Sequence, residues 1–174
     1  MLTQDHLKSI LRYDPETGVW IWLRVCGGIK TGSAAGWLHY TRYRYIQING
    51  RAYGAHQLAY LYMTGEWPKH QIDHINRKKD DNKWINLREA TKNQNQWNSR
   101  KPKNNTSGYK GVTFIKGIKK NKWYARIMVN SRTIDLGRFT TKEEAALAYN
   151  KAARKYHKEF AGLNRIPEYV ERSQ

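Results

Sequence analysis

QIDHINRKKDDNKWINLREATKNQNQWN, residues 71–98, holds a short apolar run, a charged polar loop and a polar stretch of helical character. Asp73 and His74 stand side by side in it, with Asn86 and Asn95 at offsets of 13 and 22 residues from Asp73. Asp and Asn oxygens are hard donors, suited to Mg²⁺ or Mn²⁺. An imidazole can take a proton from water near neutral pH. Neighbours on a regular strand point to opposite faces, so Asp73 and His74 can serve one phosphate only if the strand ends or bends there. The loop NRKKDDNKW that follows permits this, and Asn95 must then reach back from the next helix. Asn86 would brace the loop through backbone hydrogen bonds and keep His74 oriented. Taken alone, an Asp-His pair in a turn is an ordinary surface feature, and the Asn and Gln of 93–98 can be a solvated helix face. The full set of residue types and spacings favours chemistry.

The rest of the chain is strongly basic. Of 174 residues, 32 are Lys or Arg and 14 are Asp or Glu, a net charge of +18 with a pI near 10.1. Such a chain attracts polyanions, nucleic acid above all; a ribosomal or merely basic surface protein is the bland alternative. Residues 1–100 carry 15 basic and 8 acidic groups, and 101–174 carry 17 and 6, so both halves are expected to touch the polyanion. The single cysteine, Cys26, excludes a disulfide framework and a structural zinc site of several cysteines, and reads as a small semi-buried residue. The N-terminus lacks the layout of a signal peptide, and no apolar run has membrane-spanning length. The expectation is a soluble protein of a reducing compartment.

Working outward, KPKNNTSGYKG (101–111) is poor in apolar residues and predicts a linker at 101–108. Before it, Leu2 to Arg12 predicts a short helix, and GVWIWLRV (18–25) and YRYIQING (43–50) predict strands. AHQLAYLYMTGEW (55–67) predicts a helix with Leu58, Leu61 and Tyr62 on one face, stopped by Gly65. HQIDHI predicts a short strand, and ATKNQNQWN a helix capped by Thr91. After the linker, Trp123, Ala125, Ile127 and Val129 alternate with Lys122, Tyr124, Arg126 and Met128. In RTIDLGRF, Ile134 and Leu136 point inward. Asn130-Ser131 joins the two strands. Thr141 to Glu144 is a capping box, opening a helix with Ala145, Ala148, Tyr149, Ala152 and Tyr156 on one face. Three strands and one helix would leave one sheet face open.

Residues 56–98 resemble the HNH nuclease motif, more narrowly the phage and intron homing-endonuclease branch with its His-Arg-Leu, Asp-His, Asp-Asn, Asn-Leu-Arg and Asn layout. The resemblance implies a ββα-metal (His-Me) finger, with Asp73 and Asn95 holding one Mg²⁺ or Mn²⁺ ion, His74 as general base and Asn86 as the structural Asn. Gln57 stands where members often have Arg, and His56 reads as a packing or hydrogen-bonding residue. Residues 109–166 resemble the apetala-two/ethylene-response-factor DNA-binding domain through YKGV, KWYARI, LGRFTTKEEAALAYNKAA and the closing LN. That family lays its sheet in the major groove. The matching contact positions are Lys110, Thr113, Lys122, Arg126, Met128, Thr133 and Asp135. Several of these replace family arginines and a tryptophan, so the plant target is not inherited. Trp123 reads as core.

The reading is therefore an α+β chain. A nuclease domain spans 1–100 (core about 56–99), a linker 101–108, a sheet-and-helix DNA-binding domain 109–166 and a tail 167–174. Lys110, Thr113, Lys119, Lys120, Lys122, Arg126, Arg132 and Arg138 are the candidate DNA contacts. Function would be hydrolysis of phosphodiester bonds in double-stranded DNA, by nicking or double-strand cutting, in the cytoplasm of a bacterial or phage-infected cell, with no membrane partner. A monomer on DNA is preferred and a dimer stays open. The rivals are a transcription regulator with an inactive HNH remnant and an RNA-binding or ribosome-associated protein.

Overall fold

Thr3 accepts a hydrogen bond from the His6 amide, which starts helix α1 (Gln4–Ile10). The helix ends earlier than the sequence predicts. Leu11 and Tyr13 alternate inward, and strand β1 (Leu11–Tyr13) pairs antiparallel with β2 (Trp20–Trp22). The computed structural model describes residues 2–25, 28–117, 119–120 and 122–167. Cys26 and all but the first residue of the expected tail lie outside these. The contacts divide the chain into two units, 1–95 and 96–174.

In the first unit, β3 (Trp37–Leu38), β4 (Arg44–Ile48) and β5 (Arg51–Gly54) form an antiparallel sheet in that order. Helix α2 (Ala55–Thr64) follows, stopped at Gly65 in the left-handed conformation with φ 85°. Leu58 and Leu61 of α2 meet Leu7, Leu11, Trp20 and Ile46 in a shared apolar core. β6 (Gln71–His74) and β7 (Leu87–Ala90) pair antiparallel, and α3 (Lys92–Asn98) follows directly. Thr91 accepts from the Gln94 amide and Gln94 Oε1 accepts from the Thr91 amide, a reciprocal cap. The β1–β2 turn backs the β6–β7 loop. Gly18 sits at φ +73°, where a Cβ would lie 2.5 Å from the Asn82 carbonyl carbon, and the Tyr13 hydroxyl donates to Asn82 O at 2.6 Å.

In the second unit, β8 (Val112–Phe114), β9 (Trp123–Val129) and β10 (Arg132–Phe139) form an antiparallel sheet with β9 central. Asn130 and Ser131 turn the β9–β10 hairpin with φ of 47° and 65°, the mirror-image turn that matches strand twist. Helix α4 (Lys142–His157) opens on the Thr141–Glu144 capping box and buries Ala145, Ala146, Tyr149, Ala152 and Ala153. Ala125 and Ile127 of β9 face these residues, while Arg126 and Met128 stay exposed. Trp123 packs on the core edge against Phe114, with ring centroids 5.0 Å apart.

The segment expected to link two domains lies inside the second unit. Asn105 Oδ1 accepts from the Gly108 amide at 2.8 Å. The buried Ser107 hydroxyl lies 2.7 Å from Val112 O and accepts from the Tyr109 amide. Residues 105–108 thus form the entry turn to β8. Among the described residues, no helix is long and apolar enough to cross a membrane.

Candidate active site

Strand β6 delivers Asp73 and His74 and ends there. Arg77 N donates to His74 O at 2.8 Å with Arg77 at φ 62°, so the chain turns out of the strand at once. Both residues are buried, at 4% exposure each. The register sets Asp73 opposite Arg88 of β7, and directly opposed residues share a face. Arg88 Nε and Nη2 accordingly donate to Asp73 Oδ2 at 2.9 and 2.7 Å. Gln71 lies two residues from Asp73 and shares its face. There it meets α3, for Asn95 Nδ2 donates to Gln71 Oε1 at 2.7 Å. The helix therefore brings Asn95 to the strand that carries Asp73.

His74 is held by a residue that the sequence reading did not single out. Its Nε2 lies 3.2 Å from Oδ1 of Asn82, which is 1% exposed. Asn82 Nδ2 donates to Asp80 O at 3.3 Å, so its Oδ1 is turned to the ring as acceptor. Nε2 then carries the proton, and in a neutral imidazole the lone pair resides on Nδ1. Burial lowers the His74 pKa, opposed by the Asn82 bond and by Asp73, Asp81 and Asp80. The ring thus stays a proton acceptor at neutral pH.

Asn86 fastens the loop from both ends. Its Oδ1 accepts from the Asn76 amide at 2.9 Å and its Nδ2 donates to Asp81 O at 2.7 Å. Ile75 N donates to Asn86 O at 2.9 Å. Asn86 thus joins residues 76 and 81 of the loop, while the direct bond to the His74 ring comes from Asn82, four residues earlier. The spacing of Asp81-Asn82 and of Arg88 was visible in the sequence, but their partners follow from strand register and loop path.

An aromatic cluster backs the ring. His56, second residue of α2, meets His74 edge to face at 5.3 Å between centroids, and Tyr43 touches both, at 5.1 and 5.9 Å. Burial, then repulsion from His74, push the His56 pKa down to about 3. His56 is a neutral packing residue, and its Nδ1 is buried without a partner.

On the open sheet face of the second unit, Thr113, Tyr124 and Arg138 form one cross-strand row and Arg126 with Asp135 another. Asp135 tempers the positive charge of this face. Arg132 pairs with Val129, whose row faces α4, so its Cα lies on the helix side of the sheet. Lys119, Lys120 and Lys122 are exposed around the β8–β9 turn. Lys110 is engaged elsewhere: its Nζ donates to Trp97 O at 2.7 Å and Ser99 O at 2.9 Å, capping the end of α3.

Residues 53–97 match the model of the HNH endonuclease family. Over that segment the chain is similar to the HNH endonuclease family. The match covers Asp73, His74, Asn82, Asn86, Arg88 and Asn95 and ends before β8. An uncharacterized HNH endonuclease of Acanthamoeba polyphaga mimivirus is 35% identical over 113 residues, which is 64% of this chain and 57% of that protein. The chain thus spans little more than half the length of this relative. No solved structure matches the chain.

Proposed function

We propose that the chain is a metal-dependent endonuclease of duplex DNA, of the homing type, working as a monomer that nicks one strand or cuts both in succession. The observation that carries this is the buried Asp73–His74 pair at the end of β6, with the His74 tautomer set by Asn82 and with Asn95 joined to the same strand.

The donor set suits a hard divalent ion. A carboxylate offers about four lone-pair positions, so Asp73 can keep Arg88 on Oδ2 and still serve as a ligand. The Asn95 carboxamide spends its Nδ2 on Gln71, and its oxygen is a hard donor of the kind Mg²⁺ takes. Asp73 and Asn95 would hold the ion, which when bound neutralises charge developing on the phosphoryl group and the leaving oxygen. His74 takes the proton of the attacking water, and the Asn82 carboxamide oxygen stabilises the imidazolium that results. Asn86 keeps the loop from drifting. Products carry 5′-phosphate and 3′-hydroxyl ends. The open sheet face, with Thr113, Lys122, Arg126 and Arg138, would supply much of the site choice in the manner of an apetala-two domain, with Lys119 and Lys120 on phosphates.

The test is relaxation of supercoiled plasmid. Nicking with Mg²⁺ or Mn²⁺ that EDTA stops and His74→Ala abolishes is expected. No nicking with either ion, or unchanged nicking by His74→Ala, would sink the reading.

A further inference from the structure

The β3–β4 hairpin has no task in the chemistry described above. It is also unusual in what it leaves to solvent. Trp37 is 43% exposed, Leu38 53% and Tyr40 88%. Rings run along it in a ladder: Trp37 to Tyr45 at 6.2 Å, Tyr45 to His39 at 5.4 Å and His39 to Tyr40 at 4.1 Å. The tip is fastened. His39 N donates to Tyr43 O, Arg42 N donates to His39 O, and the His39 Nδ1 and Thr41 Oγ1 atoms are 2.8 Å apart. At its base, a Cβ on Gly36 (φ +90°) would lie 2.5 Å from Tyr45 O, so that the strands close tightly there. An apolar projection held this firmly is built to be presented.

Its position identifies the partner. Tyr43, at the end of the turn, lies 5.9 Å from the His74 ring. Lys79, from the loop that follows His74, stands 4.6 Å over the Tyr43 ring and donates to Thr41 O at 3.4 Å. The hairpin tip and the catalytic loop therefore share one surface. Residues 36–44 contain Arg42 and Arg44 and no acidic residue, and residues 75–79 add Arg77, Lys78 and Lys79. Aromatic and Arg residues are enriched at protein interfaces too, but Lys is depleted there; Lys78 and Lys79 beside the rings turn the balance toward a polyanion.

We propose that the β3–β4 hairpin is a DNA-gripping element of the first unit, which engages the duplex beside the scissile phosphate. Tyr40 enters a groove and packs on base or sugar edges, and Arg42 and Lys79 meet the flanking phosphates. The assignment rests on the endonuclease reading for its substrate. It adds a contact surface outside the sheet of the second unit, so the first unit takes part in placing the cut.

Two measurements on the full chain test it. The first is plasmid nicking with Mg²⁺. The second is titration of a fluorescein-labelled random-sequence duplex with the His74→Ala chain, which reads binding without cleavage. Tyr40→Ala is expected to raise KM and Kd about tenfold, the loss of one buried aromatic packing contact of roughly 1–2 kcal/mol, with kcat nearly unchanged, while Tyr40→Phe restores both. Arg42→Asn, which suits the positive φ of 67° at that position, is expected to lower the slope of log Kd against log salt by about one. Unaltered KM, Kd and salt slope in both variants, with normal nicking and melting, would overturn the hairpin and leave the endonuclease reading standing. A wild-type chain that binds the duplex without nicking would sink the endonuclease reading, and the binding arm would still decide the hairpin. If Tyr40→Ala instead leaves duplex binding intact and abolishes self-association in light scattering, the surface docks protein and the proposal fails.

Discussion

At the scale of single residues, two neighbours decide what His74 can do. Asn82 fixes which nitrogen holds the proton, and a leucine there has the volume but no acceptor. Asn82→Leu is expected to lower the nicking rate at saturating DNA by about 100-fold, the order lost when a general base is misplaced, with KM little changed in steady-state kinetics. Asn82→Asp keeps an acceptor but adds charge, so the acid limb of the pH–rate profile should move to higher pH. His56 has the opposite character, a base that burial keeps empty. Its pKa in the folded protein is about 3, against an ordinary value of 6.5. Between these values the unfolded chain binds the proton that the folded one refuses, so His56 favours folding above pH 6.5 and the advantage drains away toward pH 3. The slope is at most about 1.4 kcal/mol per pH unit. Melting curves of wild type and His56→Phe should therefore diverge in slope across this window and run parallel above it.

At the scale of elements, the chain obeys its local signals closely. Alternation along 123–129 placed Ala125 and Ile127 in the core, the Thr141–Glu144 box opened α4 and Gly65 closed α2. These are cues of a few residues, read through period 2 or a cap geometry. What could not be read depends on register or on a side chain reaching across sequence. Arg88 meets Asp73 because β6 and β7 pair with a particular offset. Lys110 looks like a surface cation in a basic stretch, yet it spans 11 residues to Ser99 O and closes α3. That reach is also why the boundary expected at 101–108 belongs to the second unit. Lys110→Met should lower stability by about 1–2 kcal/mol in denaturant melts, as expected for lost charged hydrogen bonds. It should leave the salt dependence of duplex binding unchanged. A reduced salt slope would return Lys110 to the DNA surface.

At the scale of the whole molecule, positive charge is spread over both units while each keeps its own apolar core. Affinity for duplex is thus expected to be distributed and salt-sensitive, with no single cation decisive. The ion pair between Asp73 and Arg88 carries a further consequence. A carboxylate buried among neutral groups would be unstable until a cation arrived, and the fold would then wait for its metal, as small zinc domains do. Here the tenant is already in place: a covalently attached cation satisfies Asp73 in the resting protein. EDTA should leave the chain folded with a cooperative melting transition, since an ion that is not needed for folding adds stability only by mass action. Arg88→Ala should cost about 3–5 kcal/mol and make the melting temperature climb with added Mg²⁺. On the proposed function, the wild-type chain would then stay folded when the ion is withdrawn and be ready to take it up again.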